Sequence, residues 1–395
     1  MEKEKIASFI ETNKDIWIHA ARTIWENPEL GHQEFKACEL LTQLLKSHGF
    51  HVKTGTSGLP TAFQAIYSST VPGPTIAYLA EYDALPEIGH ACGHNLIGVM
   101  SVTAAIALKK AVDQFGGTVI VFGTPAEETS GGKVTMAEQG LFDAVDAALM
   151  VHPSQFYERS GVSMAMEAVQ FDFIGKTAHA AARPQDGINA LDAVIQTFNA
   201  INALRQHMTS DVRIHGIITH GGTAANVVPD HGQAQFYVRT RTKSTLGTMV
   251  EKVKDCARAA ALATGTTLQI SNYELGYDNL ITNEALSEAF VQNLINLGVD
   301  PAQIHHGLDH GSIDIGNVSQ RTAAIHPYIQ IPNSPYGGHT IEFKDAAGSE
   351  NGMQALLLGA KSLAWTGYDI LSNPNLLLKI RKEFLATTTI TKGEV

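Results

Sequence analysis

Cysteine is scarce in this 395-residue chain: Cys38, Cys92 and Cys256 are the only three. So few, in an odd number, cannot build a disulfide scaffold and leave at least one thiol free, which points to a reducing compartment. Long apolar runs are also missing. No stretch of about 18 consecutive apolar residues is available to span a bilayer. The N-terminal MEKEKIASFIETNKDIWIHAARTIWENPEL is charged throughout and lacks the apolar core of a signal peptide. A basic tract is absent as well, with 28 Lys and Arg against 39 Asp and Glu and a net charge of −11. An acidic chain without basic clusters binds phosphate backbones poorly. These absences predict a cytoplasmic protein with neither a membrane nor nucleic acid as partner.

What the chain does have is core material. Hydrophobic residues make up 44 % and charged residues 17 %, a balance that excludes a disordered chain. At ~150 residues per domain the length allows two or three domains. Helical spacing of apolar positions covers 1–26 and 33–48, interrupted at Asn27-Pro28 and stopped at Gly49. Three apolar runs follow, each ending in a polar loop. TIAYLA (75–80) leads into Glu81-Tyr82-Asp83, GTVIVFG (117–123) into Thr124-Pro125-Ala126-Glu127-Glu128, and DAALMV (146–151) into His152-Pro153. A small-residue helix near 96–112 lies between the first two and suits a right-handed crossover. Strands this apolar on both faces predict a mostly parallel sheet with helices on both sides.

Around residue 165 the pattern changes. VSMAMEAVQFDFIGK alternates as a half-exposed strand, and a helix follows over about 187–208. RIHGIITHGG, QAQFYVRTRT, a helix over about 246–264 and TLQISNYELG complete the segment. Strand–helix–strand–strand–helix–strand predicts a small two-layer α+β unit of ferredoxin-like type, inserted into the α/β domain. A helix at 283–297, a strand at 323–331 and helices at 345–366 and 374–386 resume the first style. The expected division is 1–165 and 283–395 for the larger domain and 166–282 for the insertion.

Asp83, Glu127-Glu128 and His152 each follow a strand directly. In an open parallel sheet such loops share the carboxyl edge, where ligands bind. His90-Ala91-Cys92-Gly93-His94-Asn95 falls between Asp83 and the next helix. Imidazole, thiolate and carboxylate donors therefore gather, a set suited to zinc, manganese or a similar ion. Singly, each residue has an ordinary explanation. Cys92 reads as an inert buried thiol, His152 as a structural histidine, and Glu127-Glu128 as a solvated helix start favoured by the dipole. Their conjunction is what points to metal. Cys92 as a nucleophile is the competing chemistry, but His94, two residues away, is badly placed as its base and no oxyanion motif is evident.

The segments AEYDALPEIGHACGHN, FGTPAEE, ALMVHP, GKTAHAAARPQDGINALDA, HGGTAANVVPD and GGHTIEF occur in that order along essentially the whole chain. With them the sequence resembles the dinuclear-metal aminoacylase and carboxypeptidase family, metallopeptidase family number twenty. The branch is that of auxin-conjugate amidohydrolases, hippurate hydrolases and p-aminobenzoyl-glutamate hydrolase, nearest the beta-alanyl-lysine dipeptidase-like proteins. The resemblance implies two divalent ions per chain (zinc, manganese, cobalt or nickel), with Cys92, His94, Glu128, His152 and His339 as ligands. It implies Glu127 as general base and Asp83 as the carboxylate that orients a ligand. It further implies that His179, in the insertion, steadies the oxyanion in a neighbouring subunit, and that Asn226 and Arg239 hold the substrate's carboxylate. A homodimer through the insertion, which works as a lid, belongs to the same expectation. Where most of the branch has Asp this chain has Asn95, a departure expected to bear on substrate. Asp314 matches an acidic, pocket-lining position, while His305, His306 and His310 read as a polar loop before a turn.

The expected function is hydrolysis of the amide bond of an N-acyl amino acid or dipeptide-like substrate with a free carboxylate. Alternatives are p-aminobenzoyl-glutamate or another N-acyl amino acid on the same site, and a catalytically silent, metal-stabilised binding protein. A full ligand set beside Glu127 argues against the last.

Overall fold

The computed structural model describes residues 2–307, 311–334 and 337–393, the last six as backbone alone; His310 lies outside the described residues. Two compact units account for them, one from residues up to 163 with 280–393, the other from 164–279.

The first unit is built on a six-stranded sheet, in the order His51–Thr54, Phe63–Ser68, Thr118–Gly123, Thr75–Ala80, Ala147–Leu149, Ala323–Ile325. The last four strands run parallel, with Ala80 opposite Gly123 and Ala324 opposite Ala148. The first two are antiparallel additions that the periodicity did not predict. Their direction follows from length, because the eight residues 55–62 between them are too few for a crossover. Helix His94–Phe115 connects the central parallel pair and buries most of its side chains. It is long and apolar enough to cross a membrane by length and composition, but a helix apolar all round also suits the middle of a large core, and there it packs against Glu350–Ser372.

Three expected elements are subdivided. The helix over 1–26 breaks at Asn13, whose side-chain amide donates to the Phe9 carbonyl at 2.8 Å. The helix over 345–366 becomes Ile341–Gly348 and Glu350–Ser372, meeting at Ser349, whose hydroxyl accepts from Gly352 N as the cap of the second. The strand over 323–331 divides at His326-Pro327, where proline has no N–H to continue the ladder. Tyr328–Gln330 leaves the main sheet and pairs with His152–Ser154 in a second, four-stranded one. That sheet also takes in Ile304–His305, so His305 belongs to a short strand, with its ring edge-on to Phe156, and not to a loop.

The second unit follows the expected element order. Its antiparallel sheet runs Thr267–Asn272, Ala165–Ile174, His231–Thr240, Arg213–His220. Helices Ala190–Leu204 and Lys243–Thr264 bury Val194, Ile201, Val250 and Val253 with Phe171, Phe173 and Phe236 in a core of their own. The first helix starts at Ala190 and not at 187 because the Asn189 side chain accepts from Leu191 N and Asp192 N. Arg213–His220 is an edge strand, and it leaves Ile217 62 % and Ile218 46 % exposed.

Candidate metal centre at the sheet edge

Four neighbouring parallel strands deliver the chemistry of the first unit. Thr75–Ala80 ends at Glu81 and Asp83, Thr118–Gly123 runs on to Glu127 and Glu128, Ala147–Leu149 to His152, and Ala323–Ile325 to His326. Adjacent parallel strands present these loops at one edge. Gly93 joins Cys92 to His94 with φ +78°, and a Cβ there would lie 2.5 Å from Pro153 Cγ. Only glycine lets that turn close against the residue after His152.

Two non-glycine residues at the site also occupy left-handed backbone, Ala126 (φ 61°) and His339 (φ 67°). Such strain persists only where the surroundings impose it. His339 N donates to Ala91 O at 2.8 Å, which ties the distant loop to the Cys92 segment. Ala126 N donates to Glu34 Oε1 at 2.8 Å, while Glu34 Oε2 accepts from Thr61 Oγ1 at 2.7 Å. Glu34 is fully buried and thereby fixes the residue before Glu127. We expect Glu34→Ala to lower unfolding stability by about 1–3 kcal/mol for each buried donor left without an acceptor. Glu34→Gln, which keeps one acceptor, should lose less. Urea unfolding of the two variants checks this, and an unchanged midpoint for Glu34→Ala would remove the anchor.

Asp83 organises the centre. Its Oδ1 accepts from His94 Nδ1 at 2.9 Å and its Oδ2 from Glu128 N at 3.0 Å. His94 Nε2 then faces Glu81 Oε2 at 3.5 Å and Glu128 Oε1 at 3.8 Å. Glu128 Oε2 lies 3.5 Å from His339 Nε2, and Cys92 Sγ lies 3.4 Å from His152 Nε2. Three overlapping triplets offer donor atoms within 4.8 Å of one another: Cys92, His94 and His152; Cys92, Glu128 and His339; His94, Glu127 and Glu128. Donors roughly 2.1 Å from a tetrahedral cation stand roughly 3.4 Å apart, close to these separations. His94 Nε2, Glu128 Oε1 and Glu81 Oε2 are buried with no hydrogen-bond partner among the described residues. Such atoms are costly unless something binds them, so the residues fit divalent cations.

The electrostatics agree. Burial pushes the Glu127 carboxyl well up, reinforced by Glu81, Asp314 and Glu128. For Glu128 burial pulls the same way, but His339 and His94 outweigh it and lower the carboxyl. Burial disfavours the His94 imidazolium, yet Asp83 and Cys92 more than compensate and raise it well. Burial, then the charge of His94, brings His152 down to about 4. His152 is thus a histidine within reach of Cys92, a pairing the sequence did not suggest. Burial and Glu128 push the Cys92 thiol well above its usual range, the opposite of what a nucleophilic cysteine needs.

One expectation is corrected, at Asp314. Asp314 does not line a pocket; it is fully buried and ion-paired with Lys133 at 2.7 Å. Asn95 is buried too, with Nδ2 donating to Ala21 O and Ala347 O, each at 3.4 Å. It braces two helices. Glu34, Glu81 and Lys133 were missed by sequence reasoning.

His179, Asn226 and Arg239 belong to the second unit. His179 pairs with Val227 in a backbone bridge and Ala180 N donates to Asn226 O at 3.0 Å, so His179 and Asn226 sit together on exposed loops. Ala181 N and Ala182 N donate to His179 Nδ1 at 3.3 and 3.2 Å. The ring proton therefore resides on Nε2, ready to be donated. Arg239 does not join them. It lies opposite Met166, at the end of the strand nearest the unit's connections, with its guanidinium 5.3 Å from the Tyr237 ring centre.

Comparison with known proteins places this arrangement. The family model for the M20 peptidase dimerisation domain matches residues 163–265. The Xaa-Arg dipeptidase of Mus musculus is 39 % identical over 378 residues, 92 % of this chain and 88 % of that protein. A p-aminobenzoyl-glutamate hydrolase subunit from Escherichia coli K12 is 35 % identical over 310 residues, 73 % of this chain and 64 % of that one. A dinuclear metal binding peptidase of the M20 family from Bacillus subtilis has the same fold, with TM-score 0.69 and 20 % identity over 92 % of this chain and 99 % of its own.

Proposed function

The chain belongs to the M20 peptidase family, and from that premise we propose a metal-dependent hydrolase that cleaves the amide bond of a dipeptide or N-acyl amino acid with a free carboxylate. The observation that carries this reading is the set of buried, unsatisfied donor atoms at the parallel edge. Cys92, His94, Glu128, His152 and His339 are the ligands, and Asp83 keeps His94 in the tautomer whose Nε2 faces the cation. Two divalent cations held there would activate the attacking water and polarise the scissile carbonyl. Glu127 takes the water's proton and passes it to the leaving amine. His179 donates Nε2–H to the developing oxyanion, Asn226 beside it binds the substrate's carboxyl end, and the planar fork of Arg239 pairs with that carboxylate. Zinc suits the soft Cys92, and carboxylate-containing sites of this kind also take manganese, cobalt or nickel.

The preferred substrate is a dipeptide ending in arginine, on the likeness to the Xaa-Arg dipeptidase over most of both chains. The net charge of −11 also favours a cationic substrate over p-aminobenzoyl-glutamate. Turnover of Xaa-Arg dipeptides against p-aminobenzoyl-glutamate decides between the two. The protein works in the cytoplasm as a homodimer through the second unit, whose edge strand exposes Ile217 and Ile218. Such an edge invites pairing with a second copy.

Metal content tests the reading directly. The purified protein should hold close to two divalent ions per chain, lose amidase activity on exhaustive chelation and regain it when an ion is restored. Full activity in metal-free protein would sink the assignment and revive Cys92 as nucleophile.

A further inference from the structure

Beside the candidate centre lies a charged array that the reaction as described does not use. Lys133, at the start of the short helix Gly132–Glu138, is 0 % exposed. Its Nζ donates to Glu81 Oε1 at 2.5 Å and to Asp314 Oδ1 at 2.7 Å, and its backbone N–H donates to Asp314 Oδ2 at 3.1 Å. Burial disfavours the ammonium, but the two carboxylates outweigh it and keep the lysine charged. Arrays of this kind are poor stabilisers. Desolvation costs several kcal/mol per ion, and apolar side chains of equal volume often serve a core as well or better. What an apolar core cannot do is hold one carboxylate oxygen and leave the other directed at a chosen point.

That is the arrangement at Glu81. With Oε1 held by Lys133, Oε2 is turned to His94 Nε2 at 3.5 Å, and both atoms are buried without a hydrogen-bond partner among the described residues. Because His94 Nδ1 is taken by Asp83, Nε2 is the ring atom left to face Oε2, and the two atoms are spaced as two donors to one cation would be. Glu128 Oε1, also without a hydrogen-bond partner among the described residues, is 3.8 Å from the same nitrogen. These spacings resemble the edges of a coordination shell, roughly 3.4 Å for donors at roughly 2.1 Å.

Resting on the reading of a two-cation centre, we propose that Glu81 is a further side-chain donor to the cation held by His94 and Glu128. Lys133, braced by Asp314, is the positioning residue that aims it. Two carboxylates against one ammonium also leave the array negative overall, which favours a dication beside it.

The test is metal binding itself, by titrating chelator-stripped protein with Zn²⁺ and with Co²⁺, whose absorption bands report coordination. Wild-type protein should take two ions. Glu81→Gln is isosteric and still accepts from Lys133; it should weaken one of the two sites by ~10–100-fold or more, change the cobalt spectrum and leave the other site as it was. Lys133→Met should weaken that same site by ~10–100-fold; if circular dichroism shows it unfolded, Lys133→Gln takes its place. In the double variant the loss should match that of Glu81→Gln alone, because Lys133 acts through Glu81. Wild-type affinity at both sites in Glu81→Gln overturns the donor role. Additive losses overturn the positioning role. A wild-type protein that binds no ion overturns the two-cation reading instead, so the two failures are told apart.

Discussion

Glu127→Gln should cost ~10²–10⁴-fold in kcat, the range over which a positioned proton acceptor contributes, while both ions stay in place. The substitution keeps the volume and the half-buried setting of the side chain and removes only its basicity. That basicity is built by the surroundings: burial, then the negative charges of Glu81, Asp314 and Glu128, raise the affinity of the Glu127 carboxylate for a proton. Glu128→Gln is the control, and it should shed metal because its two oxygens face His94 and His339 at 3.8 and 3.5 Å. Geometry alone leaves a rival, since Glu127 also groups with His94 and Glu128 as donor atoms within 4.8 Å. Metal analysis of the two variants beside single-turnover rates resolves it. Loss of an ion from Glu127→Gln makes Glu127 a ligand, and near-normal turnover places the base elsewhere.

Much of this arrangement is legible in the sequence because it rests on short-range signals. Apolar runs that stop at Glu81, Thr124 and His152 mark parallel strand ends, and a parallel sheet collects its strand ends at one edge. The switch from continuous to alternating hydrophobicity near residue 165 marks a sheet with one open face. Less legible is whatever depends on a partner far along the chain. Lys133 and Asp314 are 181 residues apart, and Glu34 and Ala126 are 92 apart. A single Lys opening a helix or a single Glu preceding one looks like an ordinary surface charge until the fold buries it. The break at His326-Pro327 was concealed by continuous hydrophobicity, since both halves of AAIHPYIQI are buried, though in different sheets. The contacts of Asn95 are hidden for a related reason: it neighbours His94 in sequence, yet its amide points to Ala21 and Ala347.

Mixing two inactive variants should bring activity back, if the second unit serves a neighbouring subunit. His179→Ala alone should lower kcat by ~10²–10³-fold, the usual cost of losing an oxyanion donor, with metal content unchanged. The reason to expect action across a dimer lies within the second unit. His179 pairs with Val227, just before strand His231–Thr240, whereas Arg239 is near that strand's other end, opposite Met166, where the unit's chain enters. Eight residues of extended chain from His231 to Arg239 span ~26 Å, too far for His179 and Arg239 of one copy to grip the same small substrate. If both contact substrate, they serve two different active sites, and a closed two-fold dimer supplies the second. The end with His179 and Asn226 would then serve one active site of the dimer and the end with Arg239 the other. When His179→Ala protein exchanges subunits with Glu127→Gln protein, one site of each heterodimer combines a normal base with a normal partner histidine. Activity should return at up to half the wild-type value per heterodimer, while either variant alone stays inactive. Subunit exchange shown by mass-tagged chains, with no activity regained, would place His179 in its own chain's site or outside catalysis altogether.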